Sequence, residues 1–311
     1  MSTAGNFFGY VVVIGDANLD ISATASVSMK MPGPHICQEV VFKPGGSLRN
    51  IAENLALLGC KTFLLSALGD DADGEGLAAA TRKAGVDLSA TRICAGHATG
   101  RAVIVNDCDG ENYCVVGNVA IMDQITPQWL TGHASLLSGA AAIVTSPAIR
   151  KETLAWLVSK YDQCPILMDT IGLHFIKNLT PWLGHIHTLK LDRHVAGQLS
   201  GIAVASRETA PEVARWFHRV GVKQLVLSLG GFGFYYSNEE VAGWMDAPSV
   251  KVVNVTGAGD ALLAGFAYGW VQGMPFADTA RFARACAALT LMTPMNVHPA
   301  LSPQAVEELR V

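Results

Sequence analysis

The chain of 311 residues has few charged side chains, and their two signs nearly balance. Only 15% of the residues are Asp, Glu, Lys or Arg, and the formal net charge is −4. No stretch collects Lys and Arg into a basic cluster. Because binding to a nucleic-acid polymer depends on such clusters, we expect no partner of that class.

Membrane and secretion signals are also missing. Half of the residues are hydrophobic, but no apolar run approaches the roughly 18 residues that cross a bilayer. The N-terminal "YVVVIGDANLD" turns acidic after a short apolar run and has no basic leader, which favours a core strand over a signal peptide. Seven cysteines without a C-x-x-C pair are typical of reduced thiols. We therefore expect a cytoplasmic protein that does not associate with membranes.

Two common nucleotide-binding motifs are absent from the sequence. There is no G-x-x-x-x-G-K-[ST], which argues against a P-loop enzyme. There is also no strand–G-x-G-x-x-G–helix unit, which argues against dinucleotide binding.

What is present is an alternation of short apolar runs and helical patterns. Helical spacing is clear in "LRNIAENLALLG" (48–59) and "TAPEVARWFHRVG" (209–221), both of which end in glycine. The alternation predicts one α/β domain over residues 1–311, with a doubly wound, mostly parallel sheet and helices on both faces. Candidate buried strands are 11–15, 61–69, 141–146, 165–169, 187–192 and 224–231.

Two segments break this alternation. Residues 22–43 and 92–118 are β-like and partly alternating, and the second contains the turn signal "DCDGEN" at 107–112. We predict that they form a small β lid outside the central sheet.

The stretch "NVTGAGD" (254–260) is the first candidate for chemistry. A strand that feeds a glycine-rich turn and then a helix exposes backbone N–H groups at the positive end of the helix dipole, which suits an anion. Asp260 beside such a site could accept a proton from a hydroxyl next to a phosphate. It could equally be an N-terminal helix cap, and spacing alone does not decide between the two.

Three further stretches place polar residues or glycines after predicted strands. "FKPGGSLRN" (42–50) is a Gly-Gly turn that enters a helix, and "LSLGGFG" (227–233) would suit backbone contact with a nucleotide. "IGDANLD" sets Asn18 and Asp20 after the first strand, where ligands bind in open parallel sheets. The ordinary alternatives are a tight turn and a solvated loop aspartate.

Taken in order, these stretches resemble the ribokinase (PfkB) family of sugar and nucleoside kinases. The resemblance covers nearly the whole chain, and T-G-A-G-D is its most specific motif. Four stretches favour the branch of the family that phosphorylates the nucleoside pseudouridine, namely 48–59, 186–190, 214–218 and 253–261. Another nucleoside or free ribose as acceptor, and a non-catalytic nucleoside-binding relative, are the alternatives.

The resemblance implies a ribokinase-like fold, a homodimer formed through the lid, and transfer of the ATP γ-phosphoryl group to a 5′-hydroxyl. Asp260 would be the base, and the amides of Gly257, Ala258 and Gly259 would form the anion hole. The residues implied to hold the ribose are Asn18, Asp20, Gly46 and Asn50.

The nucleotide and its Mg²⁺ would be bound by a second group of residues. Those implied to contact the nucleotide are Ser228, Gly230, Gly233, Thr256 and Asp192. Asp192 and Asp169 are implied to reach the metal through water.

The sequence departs from the family pattern at three positions. Val195 stands where the family has a glutamate associated with Mg²⁺, and Leu48 stands where a glycine near the substrate is common. Asn254 replaces the aspartate that opens D-T-x-G-A-G-D, which argues against activation by a monovalent cation such as K⁺.

Overall fold

The computed structural model describes residues 9–29, 33–108 and 112–309. Within these ranges the strands are β1 (Val11–Ile14), β2 (Asn18–Ala25), β3 (Cys37–Gly45), β4 (Thr62–Leu65), β5 (Ala67–Gly69), β6 (Arg92–Cys94), β7 (Gly100–Asn106), β8 (Asn112–Asn118), β9 (Ala142–Thr145), β10 (Ile166–Asp169), β11 (Thr188–Asp192), β12 (Gln224–Ser228), β13 (Phe234–Ser237) and β14 (Ala242–Met245). The helices are α1 (Ser47–Leu57), α2 (Ala72–Lys83), α3 (Pro127–Thr131), α4 (Ala134–Ser138), α5 (Lys151–Lys160), α6 (Ile176–Leu179), α7 (Arg193–Ser200), α8 (Ala210–Arg219), α9 (Ala258–Val271), α10 (Phe276–Leu291) and α11 (Pro303–Glu308).

The central sheet has eight strands in the order β14-β13-β12-β11-β10-β9-β1-β4. The six strands from β12 to β4 are parallel, and they include a strand from each of the six predicted segments. β13 and β14 pair antiparallel at one edge and were not predicted. Every residue of β1, β4, β9 and β10 is buried, as expected of a sheet that is covered on both faces.

Alternate side chains of each central strand enter different hydrophobic cores. Val12 and Ile14 belong to a core that contains side chains of α3 to α8. Val11 and Val13 belong to a core formed with α1, α2, α9 and α10. The predicted doubly wound arrangement follows from these two cores, because each needs its own layer of helices.

A second sheet, which we call the lid sheet, has the strand order β3-β2-β7-β8. It draws on both segments predicted as a lid, but two boundaries were wrong. The lid sheet starts at Asn18, because β2 continues almost directly from β1. Arg92–Cys94 pairs instead with Ala67–Gly69 in a small parallel sheet. The turn predicted at 107–112 lies partly outside the described residues.

The chain leaves β1 towards β4 on one side and later returns to β9 on the other side of β1. In open α/β sheets ligands bind outside the carboxyl ends of the strands near such a reversal. We therefore expect a ligand-binding site at the carboxyl ends of β1, β10, β11 and β12, beside the helices that begin there. None of the helices in the described ranges is long and apolar enough to cross a membrane.

Candidate active site

Two clefts meet at the start of α9. The first, of about 310 Å³, lies under the lid sheet and is lined by Asp20 and Thr256 among others. The second, of about 480 Å³, is lined by Ser228, Gly230 and Gly233 together with Ala258 and Gly259. Molecules bound in the two clefts would therefore face each other across the turn that precedes α9.

That turn has a backbone shape that requires glycine at its centre. Gly257 has a φ of 87° and forms the N-cap of α9. A Cβ atom at this position would lie 1.9 Å from the carbonyl oxygen of Asn296. The first N–H groups of α9 have no carbonyl partner within the helix, and they lie at the positive end of its dipole. The turn can therefore receive an anion.

Asp260 is the third residue of α9 and is buried. Its Oδ2 accepts a hydrogen bond of 2.7 Å from Asn50 Nδ2, which comes from α1. Burial is the main reason that its pKa is raised to about 7, and the negative charge of Asp169 adds to this effect. Lys190 and the hydrogen bond from Asn50 act in the opposite direction. Since Gly257 holds the N-cap position, the side chain of Asp260 is directed to a partner outside its own helix.

Asn50 is held in place by its neighbour Arg49, which is fully buried. Arg49 Nη2 donates to Asn50 Oδ1 at 2.5 Å, and its Nε donates to the carbonyl oxygen of Gly45 at 2.9 Å. A third contact joins Arg49 to Glu53 one turn later in α1. This network fixes which end of the Asn50 amide faces Asp260, because the oxygen is occupied by the guanidinium.

Lys190 was missed by the sequence reasoning. Its Nζ donates to both carboxylate oxygens of Asp169, at 3.0 and 2.8 Å. A Cβ atom on Gly259 would lie 2.6 Å from the same Nζ, so the ammonium group touches the first turn of α9. Burial alone would lower its pKa, but Asp169, Asp260 and Asp192 together raise it and keep the group charged. The available signal was a lysine inside the otherwise apolar strand "HTLKLD".

The carboxylates predicted to reach a metal lie at the ends of β10 and β11. Asp192 caps α7, because its Oδ1 accepts hydrogen bonds from the N–H groups of His194 and Val195 at 2.7 and 2.9 Å. Within the described part of the chain no group of three or more His, Cys, Asp or Glu side chains could hold a metal ion. Mg²⁺ commonly binds through one or two carboxylates, phosphates and water. Asp192 fits that mode, because the helix cap uses its Oδ1, whereas both oxygens of the buried Asp169 accept hydrogen bonds from Lys190.

Asp20, another predicted acceptor-side residue, follows the first strand as expected and lies in β2 of the lid sheet, so it is not a solvated loop aspartate. Asn18 Nδ2 donates to Asp20 Oδ1 at 2.6 Å, and Asn296 Nδ2 donates to Oδ2 at 2.7 Å. A Cβ atom on Gly45 would overlap the Asp20 carboxyl group at 2.2 Å, which explains the first glycine of the pair. Gly46, the second glycine, is the N-cap of α1. Asn296 was not predicted, and its surroundings in the sequence carry no motif.

Asp16 is a second unpredicted residue of the site. It is buried, and its carboxylate accepts hydrogen bonds from the N–H groups of Ser47 and Leu48 at 2.7 and 3.2 Å. It therefore caps α1, the helix that carries Asn50. Burial raises its pKa, and Asp20 adds to the increase.

The structure shows the surroundings of the three residues that depart from the family pattern. Leu48 and Val195 are fully buried in the hydrophobic cores, so neither crowds a cleft nor offers a metal ligand. Asn254 Nδ2 lies 3.5 Å from each of three carbonyl oxygens, those of Thr256, Pro294 and Met295. An amide therefore stands among carbonyl groups.

A doubly wound sheet, a glycine turn between two clefts at a helix N-terminus and a buried carboxylate in that helix's first turn define a phosphotransferase that acts on an alcohol group. The chain belongs to the pfkB family of carbohydrate kinases, whose model matches residues 9–298. The predicted family, fold and reaction class are thereby confirmed.

Individual relatives agree with this assignment. A pseudouridine kinase of Escherichia coli (strain K12) is 40% identical over 298 residues, which cover 94% of each chain. An uncharacterized sugar kinase of the same organism is 34% identical and covers 94% of this chain and 81% of its own. The structure of Arabidopsis thaliana ribokinase complexed with ribose and ATP matches with a TM-score of 0.83 and 24% identity, covering 97% of this chain and 98% of the other.

Proposed function

We propose that this kinase transfers the γ-phosphoryl group of ATP, with Mg²⁺, to the 5′-hydroxyl of pseudouridine. The observation that carries the proposal is the buried carboxylate of Asp260 in the first turn of a helix whose N-terminus lies between the two clefts and can receive a phosphate. The acceptor is chosen because the chain is 40% identical to a pseudouridine kinase over nearly its whole length.

The acceptor would occupy the cleft under the lid sheet. Asp20, Asn18, Asn50 and the backbone at Gly46 hold its ribose, since carboxylate and amide groups suit sugar hydroxyls. Asp20 keeps a fixed orientation because two asparagine side chains donate to it. This arrangement brings the 5′-hydroxyl towards Asp260.

Asp260 then removes the proton from the 5′-hydroxyl as the oxygen attacks the γ-phosphorus of ATP. The new O–P bond forms while the bond from the γ-phosphorus to the bridging oxygen breaks, and ADP leaves. The amides of Gly257, Ala258 and Gly259 stabilise the charge that develops on the phosphoryl oxygens. The ammonium group of Lys190, which lies against Gly259, adds a positive charge at the same place.

ATP would lie in the second cleft, with Ser228, Gly230 and Gly233 in its lining and Thr256 at the turn between the two clefts. Apart from these residues its lining is mainly apolar, including Val252, Val255, Leu262, Ala287 and Leu291, which suits the flat face of a base. Mg²⁺ would be held by the phosphates and, through water, by Asp169 and Asp192, and it would neutralise phosphate charge. The Asn254 amide takes the place of an acidic side chain among carbonyls, so we expect no requirement for K⁺.

We further propose a homodimer formed through the outer face of the lid sheet. The strand register brings Phe42, Val103 and Val116 into one row on that face, and Val40 lies in the next row. These four side chains are exposed. A second copy of the same face would cover them, and a Phe42→Asp variant should sediment as a monomer while the unchanged protein sediments as a dimer.

The function is tested by measuring ADP release with ATP and Mg²⁺ and a panel of acceptors: pseudouridine, uridine, adenosine, ribose and fructose 6-phosphate. We expect the highest kcat/KM with pseudouridine. Turnover with ribose alone would contradict a nucleoside acceptor. No turnover with any acceptor would favour a non-catalytic nucleoside-binding protein.

A further inference from the structure

The inner face of the lid sheet, which lines the acceptor cleft, is arranged in rows across its strands. The strand register aligns Lys43, Asp20 and Ala102 in a first row, at the level of the sugar-holding carboxylate. The next row along the strands has two apolar residues around one small polar residue, namely Val41, Ser22 and Ile104.

The third row is polar throughout. Thr24 pairs with Asn106 of β7, and an irregularity between Ala23 and Ala25 sets Glu39 of β3 beside Thr24. All three residues of this row line the acceptor cleft. At about 3.3 Å per residue, Thr24 lies roughly 13 Å along β2 from Asp20. Free ribose held at Asp20 would leave this row empty, whereas a sugar with a planar base attached would extend towards it.

The side chain of Asn106 has an unsatisfied hydrogen-bond acceptor, which indicates that a ligand group binds there. Its Oδ1 is buried and has no hydrogen-bond partner among the residues that the structure describes. An unsatisfied buried acceptor costs free energy, and a donor on a ligand would remove that cost. Glu39, at the other end of the row, is exposed at the cleft and is an acceptor when ionised.

We propose that Glu39, Thr24 and Asn106 form a base-edge subsite that accepts N–H donors from the nucleobase, an inference that rests on the proposed nucleoside kinase function. The apolar row of Val41 and Ile104 packs against the ring. Asn106 Oδ1 accepts one N–H of the base, and the Glu39 carboxylate accepts a second.

This subsite would distinguish how the base is linked to the sugar. A uracil ring joined through carbon, as in pseudouridine, presents N–H, C=O and N–H along the edge far from the ribose. A uracil ring joined through nitrogen, as in uridine, presents only one N–H on that edge and a C–H in place of the other. Two acceptors at the two ends of one row therefore match the carbon-linked nucleoside, because a polar group left unpaired lowers affinity.

The experiment compares Asn106→Ala and Glu39→Ala with Asn118→Ala, a control on an exposed residue of the same sheet. For each, kcat/KM and KM are measured with pseudouridine, uridine and ribose, together with the KM for ATP. Asn106→Ala should lower kcat/KM about tenfold for both nucleosides through KM, with ribose and ATP unchanged. Glu39→Ala should lower it about tenfold for pseudouridine but less than twofold for uridine. The control should behave like the unchanged protein.

Equal losses for ribose and the nucleosides would overturn the subsite, as would unchanged nucleoside kinetics in both variants. The proposed function fails separately, if the unchanged protein turns over no nucleoside. Calorimetric binding of pseudouridine and uridine to an Asp260→Asn background then decides the inference: a tenfold weaker affinity on adding Asn106→Ala supports it, and no binding of either nucleoside overturns it.

Discussion

The two ends of the candidate site are built in different ways. At the turn before α9, the groups proposed to face the nucleotide are backbone amides and a buried ion pair, all held by the central sheet and its helices. At the lid sheet, the groups proposed to face the acceptor are side chains on strands whose outer face is exposed. Backbone amides can hold a phosphate whatever side chains surround them, whereas selection of an acceptor depends on individual side chains. Changes at the turn should therefore affect kcat, and changes at the lid should affect the KM for the acceptor.

The largest effect is expected from Asp260→Asn. Removing the base should lower kcat by at least about a thousandfold while leaving the KM for ATP within a few-fold, since a general base contributes up to about 10⁴-fold. Steady-state kinetics and ATP binding by calorimetry measure the two effects. Asp123→Asn, at an exposed position on the surface, serves as the control. Near-normal turnover in Asp260→Asn would remove the residue from the reaction.

The next effect tests whether the turn itself is required. Gly257→Ala should lower kcat about a hundredfold, because the new methyl group collides with the carbonyl of Asn296 and displaces the amides. Gly201→Ala is the matched control, since Gly201 also has a left-handed backbone, with a φ of 72°, but open space around it. Both variants should lose about 1 kcal/mol of stability from backbone strain. Equal kcat values in the two would show that strain alone matters.

A pH dependence should follow from the buried carboxylate. Because the pKa of Asp260 is raised to about 7, the base is protonated below that pH, and kcat/KM should fall about tenfold per unit as the pH drops. The folded state also binds this proton more tightly than the unfolded chain, whose aspartate has the ordinary value of 3.8. Stability from this group should therefore decrease as the pH rises from about 4 to 7. A flat pH profile of kcat/KM would contradict the assignment.

On the lid side, Asp20→Asn should raise the KM for the acceptor about tenfold and change kcat little. The new amide nitrogen would face Asn18 or Asn296, both of which now donate to the carboxylate, so the side chain would lose its orientation. The KM for ATP is the internal control. A drop in kcat with an unchanged acceptor KM would break the distinction between the two ends.

The smallest effect concerns the carbonyl cluster around Asn254. Replacing K⁺ by a bulky organic cation at constant ionic strength should change the rate less than twofold, because an amide already donates to those carbonyls. Asn254→Asp should make the rate depend on K⁺, since a carboxylate among carbonyl groups favours a cation. A strong K⁺ response in the unchanged protein would contradict this reading.

Several elements could be predicted from local sequence alone. The central parallel strands appear in the sequence as short apolar runs, because both of their faces are buried. The segments that form α1 and α8 show helical spacing of apolar residues that ends at a glycine. The T-G-A-G-D turn could be located because its backbone shape requires glycine. β13 and β14 were missed: β14 is the edge strand and is only partly buried, whereas β13 is buried and pairs on both sides.

The remaining parts of the site depend on contacts between distant residues. Asn296 reaches Asp20 across 276 positions of sequence, and no local pattern marks it. Lys190 became visible as part of the site once β10, β11 and α9 were packed together.

By itself the sequence determined the parallel sheet and the identity of the glycine turn, because periodicity and backbone constraints are local properties. The family followed from the resemblance of its ordered motifs. Spacing alone left Asp260 balanced between a helix cap and a base, and the resemblance to the family favoured the base. The tertiary structure placed that carboxylate in a buried position, in contact with Asn50, on a helix whose N-terminal turn lies between two clefts. Burial and long-range pairing set its pKa and its partners, and both arise only when the chain has folded.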